Sequence, residues 1–448
     1  MFRKVAQTSV CALALAATAM AQDGPRLEPL HVTAAWEAGQ IESFEKDASG
    51  PGVASDREML SHSSVWMLQE ARLSENARVY LGVGGMYFFI LPSDGNQYAN
   101  GQRSAFGLTD LHGEYDLFTR DNGDYGLRLK AGIFPYKYNP DAKNLGEYMY
   151  RTYTYPTIIT TGGLVVVNTA GVQLNGAAAS THIGGLTNDF LVTIKTEQIP
   201  TAALSATDII SYTVGNFLTV GGGYMFDNFY SADGVGEGNT QDRNSIAQEY
   251  YYKLNDGSYV LYDPSNPPVP GTVADSGHFT FTGQKAMWRA SVDLGNLISP
   301  LIPLKISAST FKIYYEGILM GVQNRPVFYE KRSDRIAHMF GVNIPTFGAL
   351  DMLAFEMEYC SNPYAPDMSN ATYKMSPTPN TNYGSSFSSD DLKLSAYARK
   401  EVVKGFSVSA QAARDHSRLV DYFGHTNDME ILPKRKNWYW AFQLAYAI

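Results

Sequence analysis

Apolar and polar positions alternate with a period of two through most of the chain. In Leu108–Leu117, Thr109, Leu111, Gly113, Tyr115 and Leu117 alternate with Asp110, His112, Glu114 and Asp116. Tyr125, Leu127, Leu129, Ala131 and Ile133 alternate with Arg128 and Lys130; Leu392, Leu394, Ala396 and Ala398 alternate with Lys393, Ser395, Tyr397 and Arg399. Such alternation is the signature of strands with one face in an apolar environment, not of helices. It predicts strands at 29–39, 63–72, 78–91, 106–119, 124–134, 165–176, 187–197, 203–213, 217–227, 278–294, 304–315, 332–344, 350–361, 391–401, 405–415 and 437–448. The count is about 16, within a range of about 14–18, and an even number is the rule for bacterial single-chain barrels.

Connection lengths separate a barrel from a soluble sandwich or propeller. Tight links such as 120–123, 214–216, 345–348 and 402–404 follow even-numbered strands. Long polar links follow most odd-numbered ones: 40–62, 92–105, 135–164, 228–277, 316–331, 362–390 and 416–436, with 198–202 the exception. Short turns at one rim and long loops at the other are the asymmetry of outer-membrane barrels. No fixed-period repeat supports a propeller. The fold class expected is all-β, a transmembrane antiparallel up-and-down β-barrel.

The chain ends add a compartment. Arg3 and Lys4, the apolar run 9–17 and Ala19-Met20-Ala21 form a signal peptide pattern, so residues 1–21 are expected to be cleaved after Sec export, leaving 22–448 as the barrel. At the other end Trp438, Trp440, Phe442, Leu444, Tyr446 and Ile448 fall on one face of a last strand. Exposed to water, that face would aggregate; exposed to lipid, it is stable. The tail resembles the C-terminal strand by which the barrel-assembly machinery recognises bacterial outer-membrane barrels, and the resemblance makes Trp440, Phe442, Leu444, Tyr446 and Ile448 an assembly signal. It departs from the family in ending on Ile448 rather than Phe.

Composition agrees with this picture. The 448 residues include 30 Tyr, 22 Phe and 40 Gly but only 18% charged side chains, and the formal net charge of −9 argues against a nucleic-acid partner. After cleavage one cysteine, Cys360, remains, so no internal disulfide is expected. Catalytic, phosphate-binding and metal-ligand motifs are missing from the sequence; the expected protein is no enzyme, with no cofactor and no metal.

A barrel of this size encloses an aqueous channel unless it is plugged. Asp110, His112, Glu114 and Asp116 on one strand oppose Arg128 and Lys130 on the next, with Asp116–Arg128 and Glu114–Lys130 in one register and Glu114–Arg128 and His112–Lys130 in a register shifted by two. Either arrangement fits a transverse field acting on polar solutes or plain cross-strand stabilisation. The segment 135–164 is unusually rich in tyrosine. Tyr136, Lys137, Tyr138, Glu147, Tyr148, Tyr150 and Arg151 are its candidates for lining a constriction, against the alternatives of an interfacial girdle or a loop packed on itself. The acidic segment 228–277 is either a solvated loop or a site for cations bridging to lipopolysaccharide.

Together the ends and the loop rhythm resemble the porin-like barrels of Gram-negative bacteria, and Gly132–Pro140 looks like a motif of uncharacterised members. In porins the third extracellular loop folds into the barrel, and 135–164 occupies the matching place. The resemblance implies an outer-membrane channel for small hydrophilic solutes, saccharides being one class, with lipid and lipopolysaccharide around it and a homo-oligomer as one assembly. The alternative is a structural or adhesive barrel with a plugged lumen that acts through its loops.

Overall fold

The computed structural model describes residues 24–42, 58–90, 104–119, 125–150, 172–195, 203–231, 251–261, 269, 271–275, 283–298, 309–323, 331–360, 392–414 and 438–448. Sixteen of its strands form the barrel wall. They are β1 (His31–Glu42), β2 (Glu58–Arg72), β3 (Ala77–Ile90), β4 (Ser104–Thr119), β5 (Tyr125–Tyr136), β6 (Val172–Ile183), β7 (Leu186–Lys195) and β8 (Ala203–Val214). The second half comprises β9 (Leu218–Ser231), β10 (Gly283–Asp293), β11 (Lys312–Met320), β12 (Ile336–Asn343), β13 (Met352–Cys360), β14 (Leu392–Val403), β15 (Phe406–Arg414) and β16 (Trp438–Ala447).

Each strand pairs antiparallel with its sequence neighbours, and β1 pairs with β16 from Thr33↔Ala447 to Glu42↔Trp438. The sheet therefore closes. Closure follows from the solvent: hydrocarbon offers no partner to an unpaired N–H or C=O, so a sheet crossing it can have no edge. Among the described residues no helix is long and apolar enough to cross a membrane; the crossing elements are strands.

The two-residue period sorts the side chains. Leu111, Leu129, Phe340 and Phe355 are exposed on the outer face, while Glu114, Lys285, Glu356 and Gln443 are buried on the inner one. In β16, Trp440, Tyr446 and Ile448 are exposed outward and Tyr439, Ala441 and Gln443 are buried inward, so Phe442 and Leu444 share the outer face by alternation.

Strand positions agree with the periodicity except in two places. The sixth strand, expected at 165–176, is Val172–Ile183, and the eleventh, expected at 304–315, is Lys312–Met320. In the first case the ladder with β5 (Gly132↔Gly176, Phe134↔Leu174) and the two-residue turn Gly184-Gly185 set the register. In the second, both described ends of the link after β10 are held by Asp293. A short helix, Leu294–Ile298, follows β10, and the Asp293 carboxylate accepts hydrogen bonds from the Asn296 and Ser309 backbone N–H groups, both at 2.9 Å. β9 runs on to Ser231, and beyond it Tyr251–Leu254 lies between Tyr259–Leu261 and Val273–Asp275 in a small separate sheet. The expected signal peptide lies outside the described residues.

The sidedness of the wall is testable. An arginine at a lipid-facing mid-barrel site costs roughly 2–4 kcal/mol, so Phe355→Arg should lower the urea midpoint of the protein in lipid vesicles by that equivalent. Ser180→Lys, on the inner face beside Asp189, should leave it nearly unchanged. Equal losses in both variants would contradict the assignment of faces.

Candidate functional site

At Tyr136 the chain leaves β5, and residues 137–150 turn into the barrel. Leu145, Tyr148, Met149 and Tyr150 are fully buried there, in one cluster with the inward-facing Met225, Met287, Ile318 and Met339. An apolar loop segment thus finds its cover inside the lumen, against four different wall strands.

Polar anchoring comes from three carboxylates on the far wall. Glu316 of β11 accepts hydrogen bonds from the Tyr138 hydroxyl (2.6 Å), the Asn139 side-chain amide (2.6 Å) and the Tyr148 backbone N–H (3.0 Å). Glu356 of β13 accepts from the consecutive backbone N–H groups of Lys143 (2.5 Å), Asn144 (2.7 Å) and Leu145 (2.8 Å). Glu358 accepts from the Tyr148 hydroxyl at 2.9 Å. Each bond has a charged acceptor, and such bonds are roughly twice as strong as neutral ones. They satisfy backbone groups that a loop buried in a lumen would otherwise leave orphaned.

Further contacts fix the loop's outline. Lys312 pairs with Asp141 at 2.7 Å, Lys285 donates to the Met149 carbonyl at 3.1 Å, and the Asn144 side-chain amide donates to Ser395 Oγ at 3.0 Å. The Tyr136 hydroxyl donates to Asp189 at 3.0 Å. Burial, and next the Glu316 carboxylate, push the Tyr138 hydroxyl well above the ordinary tyrosine range, so it stays protonated and keeps donating.

Two glycines make the geometry possible. The ring of Tyr314 lies across Gly341, where a Cβ would meet it at 2.0 Å, and its hydroxyl reaches Glu356 at 2.9 Å. Tyr314, Gly341 and Glu356 occupy one row across β11, β12 and β13. Inside the loop Gly146 has φ +83°, a conformation that side chains disfavour, and a Cβ there would meet Met339 at 2.7 Å.

A second group lines β3–β5. The register is Glu114↔Lys130 and Asp116↔Arg128, the first of the two arrangements expected from the sequence. Arg128 grips Asp116 with Nε at 2.5 Å and Nη2 at 2.9 Å, and Lys130 meets Glu114 at 2.8 Å. Arg78 of β3 joins by pairing with Asp116, and His112 bridges Asp110 and Glu114 while stacking on Tyr80 at 4.6 Å. Phe134, in edge contact with His112 at 5.9 Å and under Lys130 at 5.3 Å, ties this ladder to the loop cluster.

The wall is closed and apolar outside, and residues 137–150 are clasped within it. The fold is a closed 16-stranded antiparallel β-barrel. No family model matches the chain, and no curated protein matches it. Among solved structures it is similar to a mutant of the Rh. blastica porin, at 8% identity and a TM-score of 0.43, covering 94% of this chain and 100% of that one. A triple mutant of the Rhodopseudomonas blastica porin gives the same figures.

Most residues singled out in the sequence fall into these two groups. Tyr136, Lys137, Tyr138, Glu147, Tyr148 and Tyr150 are in the infolded region, and Asp110, His112, Glu114, Asp116, Arg128 and Lys130 are in the ladder; Arg151 lies outside the described residues. The rings of Tyr138, Tyr148 and Tyr150 are buried in the apolar cluster of the infolded segment. Glu316, Glu356, Glu358, Tyr314 and Arg78 escaped sequence reading. The signal for two of them was present, since Glu356 and Glu358 sit between Phe355, Met357 and Tyr359 and so must face inward.

Glu356→Ala strips the acceptor from three backbone N–H groups, each costing about 1–3 kcal/mol if left buried and unpaired. The folded variant, still heat-modifiable on a gel, should become cleavable by protease within 137–150 where the parent resists. Continued resistance in both Glu356→Ala and Glu316→Ala would mean that the carboxylates do not hold the loop.

Proposed function

We propose that this protein is a passive outer-membrane channel for small hydrophilic solutes, narrowed by residues 137–150. The observation that carries the reading is the one-sided placement of that segment. It is held by β10–β14, while the inner face from β14 through β5 carries polar side chains beside the aromatic Tyr397, Tyr439 and Trp66: Ser407, Ser409 and Gln411 on β15, Gln443 on β16, and the ladder on β3–β5. Sixteen strands are enough to enclose water. A polar wall facing a narrowing loop suits diffusion of hydrated solutes, and nothing in this reading calls for a catalytic step.

In this reading Arg128, Lys130, Lys137 and Glu147 contribute to the constriction and to what it admits. Tyr136, Tyr138, Tyr148 and Tyr150 act through the loop's position. Saccharides are one solute class of suitable polarity. The aromatic outer face of β16 is the segment offered to the barrel-assembly machinery and then to lipid. A second copy of the chain is a further partner: Asp208 is exposed on the outer face of β8, bonded to Asn188 across the strand pair at 2.8 Å, among the exposed Phe190, Ile210 and Phe226. A carboxylate among lipid-facing apolar side chains is costly unless another protein surface covers it.

Purified protein in a planar bilayer should give discrete conductance steps, and vesicles containing it should swell in isotonic solutions of small sugars. A silent bilayer from correctly folded protein would overturn the channel reading and favour the plugged barrel acting through its loops.

A further inference from the structure

Along β3–β5 the two signs of charge on the inner surface are not equally accessible. In the β3–β5 ladder three cations balance three carboxylates, yet the side chains of Arg78, Arg128 and Lys130 are 21%, 25% and 25% exposed, while those of Asp116, Glu114 and Asp110 are 3%, 7% and 9% exposed. The carboxylates lie against the wall and the cations cover them. A solute passing this wall meets the guanidinium and ammonium groups first, with the compensating negative charge set behind.

The same division recurs at the loop. Glu316, Glu356 and Glu358 are buried and occupied by the N–H and O–H donors of the infolded segment. By contrast Lys137 and Lys143 are only partly buried and donate to the carbonyl oxygens of Ala142 and Pro140, which are neutral. The clasp therefore buries three carboxylates, together with Lys285, and leaves Lys137 and Lys143 partly exposed.

From this we infer that the channel selects for anions, with Arg78, Arg128 and Lys130 on the wall and Lys137 and Lys143 on the infolded segment as the residues that set the preference. The inference rests on the channel reading above and names its solute class: small inorganic and organic anions, of which chloride and phosphate are the simplest. The chain's formal net charge of −9 gives no guide here, because selectivity follows the groups lining the path and not the sum over the molecule. Charges a few ångströms apart interact several times more strongly beside a low-dielectric wall than in water, enough to sort ions without trapping them. Exposed charges are screened by salt, so the preference should weaken as the Debye length falls from about 10 Å at 0.1 M to about 3 Å at 1 M.

The test is the reversal potential of the full mature protein in a neutral-lipid planar bilayer across a tenfold KCl gradient centred near 0.1 M. The expected result is a chloride-to-potassium permeability ratio above one, falling toward one in molar salt. Lys130→Glu should lower it severalfold, and the milder Lys130→Gln should lie between parent and Lys130→Glu. Replacing chloride by phosphate should preserve the sign. A ratio at or below one in the parent, with normal conductance steps, overturns the anion assignment and leaves the channel intact. Absence of steps overturns the channel itself.

Discussion

The whole structure depends on one demand of the membrane interior, that every backbone N–H and C=O crossing it must find a partner within the protein. The pairing of β1 with β16 meets that demand, because it removes the last two free edges. Everything else is arranged around the closed wall. The outer face must be apolar and the inner face is then free to be polar, which turns a solvation requirement into a lumen with chemistry of its own.

Within the lumen the same accounting applies to the infolded segment. A loop placed there brings its own backbone donors, and Glu316 and Glu356 accept from four of them. Tyr314 steadies Glu356 from across Gly341, so the clasp is itself supported. The apolar cluster under the loop supplies cover and the carboxylates supply direction. One consequence is electrostatic: acids that hold backbone are withdrawn from the surface.

The wall was largely legible in the sequence because lipid imposes a strict period of two, visible in runs such as Leu108–Leu117 and in the terminal Trp438–Ile448. The ladder was legible too, since Asp116 and Arg128 flank a short turn and local register brings them together. Where turn chemistry or a distant partner decided the matter, the pattern was silent. The start of β6 depended on the ladder with β5 and the Gly184-Gly185 turn, and the start of β11 on the link held by Asp293. The clasp was hidden for a stronger reason: Asn139 and Asn144 meet their carboxylates 177 and 212 residues further along the chain. No local period reports a contact of that span.

The central claim is that residues 137–150 lie inside the barrel against β13 and β14. It is tested most directly by a disulfide between Asn144→Cys and Ser395→Cys, whose native side chains meet at 3.0 Å, in a Cys360→Ala background. Mild oxidation of the folded barrel should link the pair and change its mobility on a non-reducing gel, reversibly on reduction. Failure to link, with the thiol introduced at position 144 instead reacting freely with a bulky membrane-impermeant maleimide, would place the loop outside the lumen and contradict the account.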